Sequence, residues 1–376
     1  MDQKIQEFTK NYGYRYIIPF VCIFGILCNI LNLNVLASRR LKESPYIYLK
    51  FLAWSDLLTL AFTLTLSFTR GFQFDDLNVQ YLLQKMEKII FIPSANVFSA
   101  FTVAITVALT VERYFYIKFP IHASNFYTSK YAKKISFVTF ILVLLFRLPM
   151  YFFTDVIKIY SNQTTQNLSN SITNNIIDYQ IVRFNETFQK IYFFISFMLF
   201  EIIPFLILST LNWNLVLIVK KSNKEICRTT NLDGVNFKAT RHKNSFFSRL
   251  SLESDSLEYL RRSYRKKMSI KLKLSMRKRK EMKLTRTLIV VVFFLLFSEI
   301  SSIITYDKVM ELLVECYFPN YMKTYYKLQV FISNLIVLIV HSVNFFLYCF
   351  FNEKYFAILK LKFRFGYNKS KNQILK

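Results

Sequence analysis

An all-α integral membrane protein, a seven-transmembrane helix bundle with a short amphipathic helix after the last span, is the fold class this sequence predicts. Three observations lead there. The apolar residues, 53% of 376, are gathered into seven long runs. Mean hydropathy is positive, at +0.28. The basic residues crowd alternate connections between runs, as cytoplasmic loops do. A net charge of +27, from Lys+Arg 50 against Asp+Glu 23, would otherwise suggest a nucleic-acid partner. Its confinement to loops beside apolar spans excludes that reading.

A span needs about 20 apolar residues to cross a hydrocarbon layer of roughly 30 Å. Runs over about 16–37, 46–68, 89–117, 135–153, 191–219, 284–305 and 325–350 meet that length. Each is helical, because lipid offers a bare backbone no hydrogen bonds and no barrel-type alternation is present. The first connection carries Arg39, Arg40 and Lys42; the second adds Arg113, Lys118, Lys130, Lys133 and Lys134. The third, 220–283, holds about twenty basic residues, and the tail adds Lys354, Lys360, Lys362 and Arg364. The N-terminus is therefore expected outside the cell and the C-terminus inside, in a multi-pass protein of the cell membrane. Residues 1–350 form the seven-span domain and 351–376 an interfacial helix and tail. Met1 to Tyr14 is too polar for a signal peptide, so the first span is expected to act as the insertion signal. Sequons at Asn162, Asn167 and Asn185 all fall in one connection assigned to the outside, which predicts N-glycosylation there. A fourth, at Asn368, falls on the inside and is read as chance.

The loop 220–283 is polar around Ser248 to Ser256 and is expected to be disordered. From Leu260 to Lys283 it becomes basic with interspersed apolar residues. That stretch suits either an extension of the sixth helix or a face against anionic lipid. Beyond the last span, Phe356, Leu359 and Phe363 alternate with lysines at helical spacing, which predicts a helix lying in the membrane interface.

Ionisable or amide side chains inside a span are costly and therefore candidates for function. Asn29 and Asp56 lie near mid-depth in the first two spans, His341 and Asn344 in the last. Arg147 and Glu201 lie in the fourth and fifth spans, near Pro149 and Pro204, and Glu299 in the sixth. Pro204 is expected to kink its helix. Arg147 either pairs with Glu201, since each charge alone is expensive, or reaches outward to the interface. The third span ends in Glu112-Arg113-Tyr114, where an arginine head can reach water. The sequence shows no nucleophile–base pair, glycine-rich phosphate loop or metal-ligand cluster. Its cysteines, at 22, 28, 227, 316 and 349, make no pairing framework. No enzyme, cofactor, metal or disulfide is expected.

These residues resemble those of rhodopsin-like G-protein-coupled receptors. Glu112-Arg113-Tyr114 matches that family's Asp/Glu-Arg-Tyr at the cytoplasmic end of helix 3. Leu52-Ala53-Trp54-Ser55-Asp56 matches its helix-2 motif, and Asn344-Phe345-Phe346-Leu347-Tyr348 its Asn-Pro-x-x-Tyr with Phe345 for proline. The resemblance implies a buried cluster of Asn29, Asp56 and Asn344, the family's resting-state sodium site. His341 stands one turn before Asn344. A neutral histidine there, bonded to Asp56 or to backbone, argues against sodium. In the sixth span the resemblance gives Phe293 and Phe297 the inward switch and pocket positions. Glu299 then replaces the family's proline, as counter-ion for a cationic ligand or as a protonated structural acid. Ala95, where amine receptors carry aspartate, argues against an amine ligand. Lys88 stands where the family's helix-3 cysteine would be, so its disulfide to the second extracellular loop is absent.

Shorter stretches, Ser38 to Ala53, Leu148 to Phe153 and Val343 to Phe350, look like invertebrate FMRFamide-type peptide receptors. The resemblance implies an extracellular neuropeptide ligand, a heterotrimeric G protein and membrane lipid as partners, with Glu112, Arg113, Tyr114, Asn344 and Tyr348 coupling to the G protein. Two alternatives remain open: an orphan chemosensory receptor of the same fold, and a transporter or channel. Seven prolines and five glycines with no internal repeat count against the latter.

Overall fold

A computed structural model describes residues 7–72, 74–119, 128–161, 175–183, 185–222, 282–305 and 319–374. The expected disordered loop, Cys227, Cys316, Asn162 and Asn167 lie outside those residues. Seven helices are long and apolar enough to cross a membrane. They are α1 (Thr9–Leu36), α2 (Ser44–Gly71), α3 (Leu77–Lys118), α4 (Ser129–Phe152), α5 (Thr187–Ser222) and α6 (Met282–Ile304), with the seventh span, Leu328–Phe351, inside α7 (Pro319–Phe351). A further helix, α8 (Glu353–Ile374), follows at once. Between α4 and α5 lies an antiparallel hairpin, β1 (Thr154–Ser161) and β2 (Asn175–Arg183).

The polarity is inverted relative to a water-soluble bundle. Asn29, Asn32, Ser55, Asp56, Thr102, Thr106, His341 and Asn344 are buried, whereas Phe20, Leu142 and Trp213 are 62–72% exposed. Such an outer surface is costly in water and neutral in lipid, so packing and interior hydrogen bonds must hold the helices together. One large core gathers Tyr48, Leu49 and Leu52 of α2, Ile105 and Leu109 of α3, Leu288 of α6 and Tyr348 of α7 at the end carrying Arg113. A smaller one, of Ile18, Cys22, Leu60, Phe331 and Leu338, lies toward the hairpin end. Gly25 is where α1, α2 and α7 meet. A methyl group on it would fall 2.1 Å from Ser342 Oγ and 2.7 Å from Leu60 Cδ1.

Three helices contain a wide turn for the same reason. The residue before Pro19, Pro93 and Pro204 is in each case an isoleucine. Its N–H bonds to the carbonyl five residues back: Ile18 to Gly13, Ile92 to Glu87, Ile203 to Met198. A proline ring crowds the carbonyl four residues earlier and offers it no N–H. Widening the preceding turn relieves the clash. The bend expected at Pro204 is thus a π turn over Met198–Ile202. Pro149 ends α4 in a short 3-10 stretch, Leu148–Phe152.

At the hairpin end, Arg70 of α2 donates to Glu87 of α3 at 2.9 Å and to the Tyr14 hydroxyl at 3.1 Å. Thr69 adds a bond to the other Glu87 oxygen at 2.7 Å. Lys85 of α3 pairs with Asp155 of β1 at 3.3 Å, and Gln189 of α5 donates to the Phe153 carbonyl at 2.6 Å. These contacts tether the second loop to the bundle. At the other end, Asn352 caps α8 by accepting from the Tyr355 N–H at 3.0 Å. Tyr355 donates to Asn32 of α1 at 2.7 Å. Burial pushes the Tyr355 phenol above its ordinary value, so it stays a donor. The buried face of α8 is Tyr355, Ile358 and Leu359, whereas Phe356 and Phe363 are exposed. Of the residues anticipated on one apolar face, Leu359 packs inward beside Tyr355, and Phe356 and Phe363 stand outward, where a membrane interface would cover them.

Two outcomes follow for the full chain in lipid nanodiscs. Arg70→Met, which strands the buried Glu87, is expected to lose about 3 kcal/mol, and Glu87→Gln in the same chain to restore most of it, read as thermal midpoints. Gly25→Ala is expected to lose about 1–3 kcal/mol through overpacking, and Ser342→Gly to recover part of the loss.

Candidate functional site

Asp56 sits at the centre of the bundle with no exposed surface. Asn344 donates to its Oδ2 at 2.7 Å, Thr102 to its Oδ1 at 3.0 Å, and His341 Nδ1 lies 2.7 Å from Oδ1. Partners thus reach one carboxylate from α3 and α7. The expected bond from His341 to Asp56 is present. Asn29 does not hydrogen-bond Asp56. It donates to the backbone carbonyls of Gly25 and His341, each at 3.0 Å, and so holds the histidine's backbone in place. The Asn29 amide is engaged by those two carbonyls, and the His341 ring takes the Asp56 Oδ1. From Asn29 the network runs on through Asn32 at 3.4 Å to Tyr355.

The second group lies at the end of α3. Arg113 contacts Glu112 at 2.8 Å, and both side chains are buried, 3% and 2% exposed. Ser44, the first residue of α2, donates to the other Glu112 oxygen at 2.7 Å. The Arg113 guanidinium also lies over the Tyr116 ring, 5.0 Å from its centroid. Tyr114 points elsewhere, accepting from Lys118 at 2.7 Å. Tyr348 is buried against Tyr355, with ring centroids 5.6 Å apart, and its hydroxyl has no hydrogen-bond partner. Ser44 was not anticipated. The signal available was its place at a helix start, two residues after Lys42 of the basic first connection.

The third group lines a small cavity of about 40 Å³ toward the hairpin end, with Arg147, Glu201, Ser298, Glu299 and His341 on its walls. The expected ion pair of Arg147 with Glu201 is not among the contacts of the described residues. Glu201 hydrogen-bonds instead to Glu299. Arg147 is held by Tyr192, by Met150 Sδ at 3.6 Å and by the Phe200 ring, 4.5 Å to its centroid. Two carboxyls can hydrogen-bond only by sharing a proton, and a carboxyl engaged in this way has less need of the guanidinium. Phe293 and Phe297 stand on the outer face, 64% and 55% exposed. Leu295 and Glu299, one turn apart, occupy the inward positions that the resemblance had given to the two phenylalanines. Without the proline the motif has no anchor, and phenylalanine is as stable against lipid as inside. Asn185 is exposed in a left-handed conformation, φ 43, and accepts from the Phe188 N–H at 3.1 Å as the cap of α5.

His341 joins two of these groups, since it lines the cavity and bonds Asp56. Among the described residues no cluster of His, Cys, Asp and Glu could hold a metal ion. Cys22, Cys28 and Cys349 are free.

Residues 29–348 match a family model described as 7 transmembrane receptor (rhodopsin family). A Caenorhabditis elegans protein named as a probable G-protein coupled receptor is 29% identical over 223 residues, 59% of this chain and 50% of the relative. The match thus spans half the length of that relative.

His341→Ala is expected to remove one of the three side chains on Asp56 and to lower stability by about 1–3 kcal/mol. His341→Gln, which keeps a donor, is expected to recover part of that loss in the same thermal measurement.

Proposed function

The chain belongs to the rhodopsin family of seven-transmembrane receptors, a family of receptors rather than enzymes, and on that premise we propose that it is a neuropeptide receptor of the cell surface. Its ligand enters from outside at the hairpin end, and a heterotrimeric G protein binds at the Arg113 end. Support for this orientation comes from the basic connections and the tail beside Arg113 and from the sequons of the opposite loop. Support for a peptide comes from the stretches resembling FMRFamide-type receptors.

The observation that carries the mechanism is the grip on Arg113. Glu112 holds the guanidinium and Ser44 holds Glu112, in a site closed to solvent. A ligand that prefers a state without this grip shifts the population towards it. Arg113 is then free to face the cytoplasm, and the Tyr348 hydroxyl, unpartnered in the closed arrangement, gains a partner in the open one. Asp56, Asn344 and His341 lie between the cavity and this end and carry the coupling. Glycans on Asn162, Asn167 and Asn185 complete the outer surface.

Glu112→Ala removes the grip, and a loss of about 1.4 kcal/mol from the closed state raises ligand-free G-protein activation about tenfold. Ser44→Ala raises it by a smaller factor. Arg113→Ala is expected to abolish peptide-driven activation at normal surface expression. Retained activation in that variant would overturn the mechanism.

A further inference from the structure

We propose that Glu201 and Glu299 seat a cationic group of the ligand, a guanidinium or an ammonium, which enters as the proton shared by the two carboxyls leaves. The proposal deepens the receptor reading and rests on it for the nature of the natural ligand. The two acids come from different helices and meet on one cavity wall. Glu201 lies within the π turn of α5, and that turn sets its direction. Glu299 is 6% exposed, and beyond the neighbouring acid Glu201 no group of the described residues hydrogen-bonds its Oε2. A buried acceptor whose one neighbour is a second acid marks a site built for a further contact.

Charge balance fixes what can enter. With one shared proton the pair carries one negative charge and Arg147 one positive, so the site is neutral. A cation added to that state would leave an uncompensated charge in a low-dielectric interior. A cation that replaces the proton keeps the site neutral, and the proton passes to solvent. An anion would stand beside two carboxyls, opposed by a single guanidinium already engaged by Tyr192, Met150 and Phe200. Two carboxyls from separate helices also match the fork of a guanidinium. The titratable or charged groups facing the pair are Arg147 from α4 and His341 from α7; α3 contributes only the neutral Asn96 and Ser99 to the polar wall. Because His341 also holds Asp56, a cation seated here presses on the network leading to Arg113.

The test uses the purified full chain in lipid nanodiscs, with methylguanidinium chloride as probe and uncharged methylurea as its isostere. Methylguanidinium is expected to raise the thermal midpoint by roughly 2 °C and methylurea to leave it unchanged. The rise is expected to shrink as pH is lowered, since protons compete for the same carboxyls. Glu201→Gln and Glu299→Gln each lose the response, while Glu299→Asp, which keeps the charge, retains it. The midpoint of each variant without probe reports its folding. Equal effects of the two compounds, a full response in both glutamine variants, or a response indifferent to pH would overturn the proposal. The measurement needs neither peptide nor G protein, so its outcome is independent of the receptor reading.

Discussion

A carboxylate at the centre of a lipid-embedded bundle has no water to turn to, and the interior of this protein is arranged around that demand. Asp56 is answered by Asn344, Thr102 and His341. Each partner is then fixed by its own neighbours: Asn29 holds the His341 carbonyl, and Asn32 and Tyr355 continue the chain to α8. Apolar burial contributes little between helices already surrounded by hydrocarbon. Hydrogen bonds of this kind and close packing, as at Gly25, therefore set which faces meet.

The same demand explains the other buried charges. Glu87 is closed by Arg70 and Thr69, and Glu112 by Arg113 and Ser44. Where the nearby cation forms no direct ion pair, as Arg147 beside Glu201 and Glu299, the acids turn to each other. The strength of each lock follows from how completely it is satisfied. Arg70–Glu87 is met on several sides and reads as structure. Glu299 keeps an oxygen with no partner beyond Glu201 and Tyr348 an unmet hydroxyl, and these lie where movement or binding is proposed.

The connection between α4 and α5 carries no cysteine, and its hairpin is tied to the bundle by Lys85–Asp155 and by Gln189. A half-exposed ion pair is a weak tether, on the order of 1 kcal/mol or less. The loop is thus held more softly than a covalent bridge would hold it.

Seven apolar runs, their helical state and their alternation with basic loops were legible from the chain alone, because hydrocarbon imposes length and composition on any segment that crosses it. The meeting of Asp56 with Asn344 followed from the resemblance, and His341 was expected on Asp56 or on backbone; Arg113, whose head was expected to reach water, is instead buried against Glu112. Choices among equally acceptable partners were decided by tertiary structure. Glu201 took Glu299 rather than Arg147, Asn29 took backbone rather than Asp56, and Glu299 rather than Phe297 faced inward. The physical reason is rotational. A run that is apolar all round does not say which of its sides faces lipid, and a proline-widened turn resets the phase of every residue beyond it.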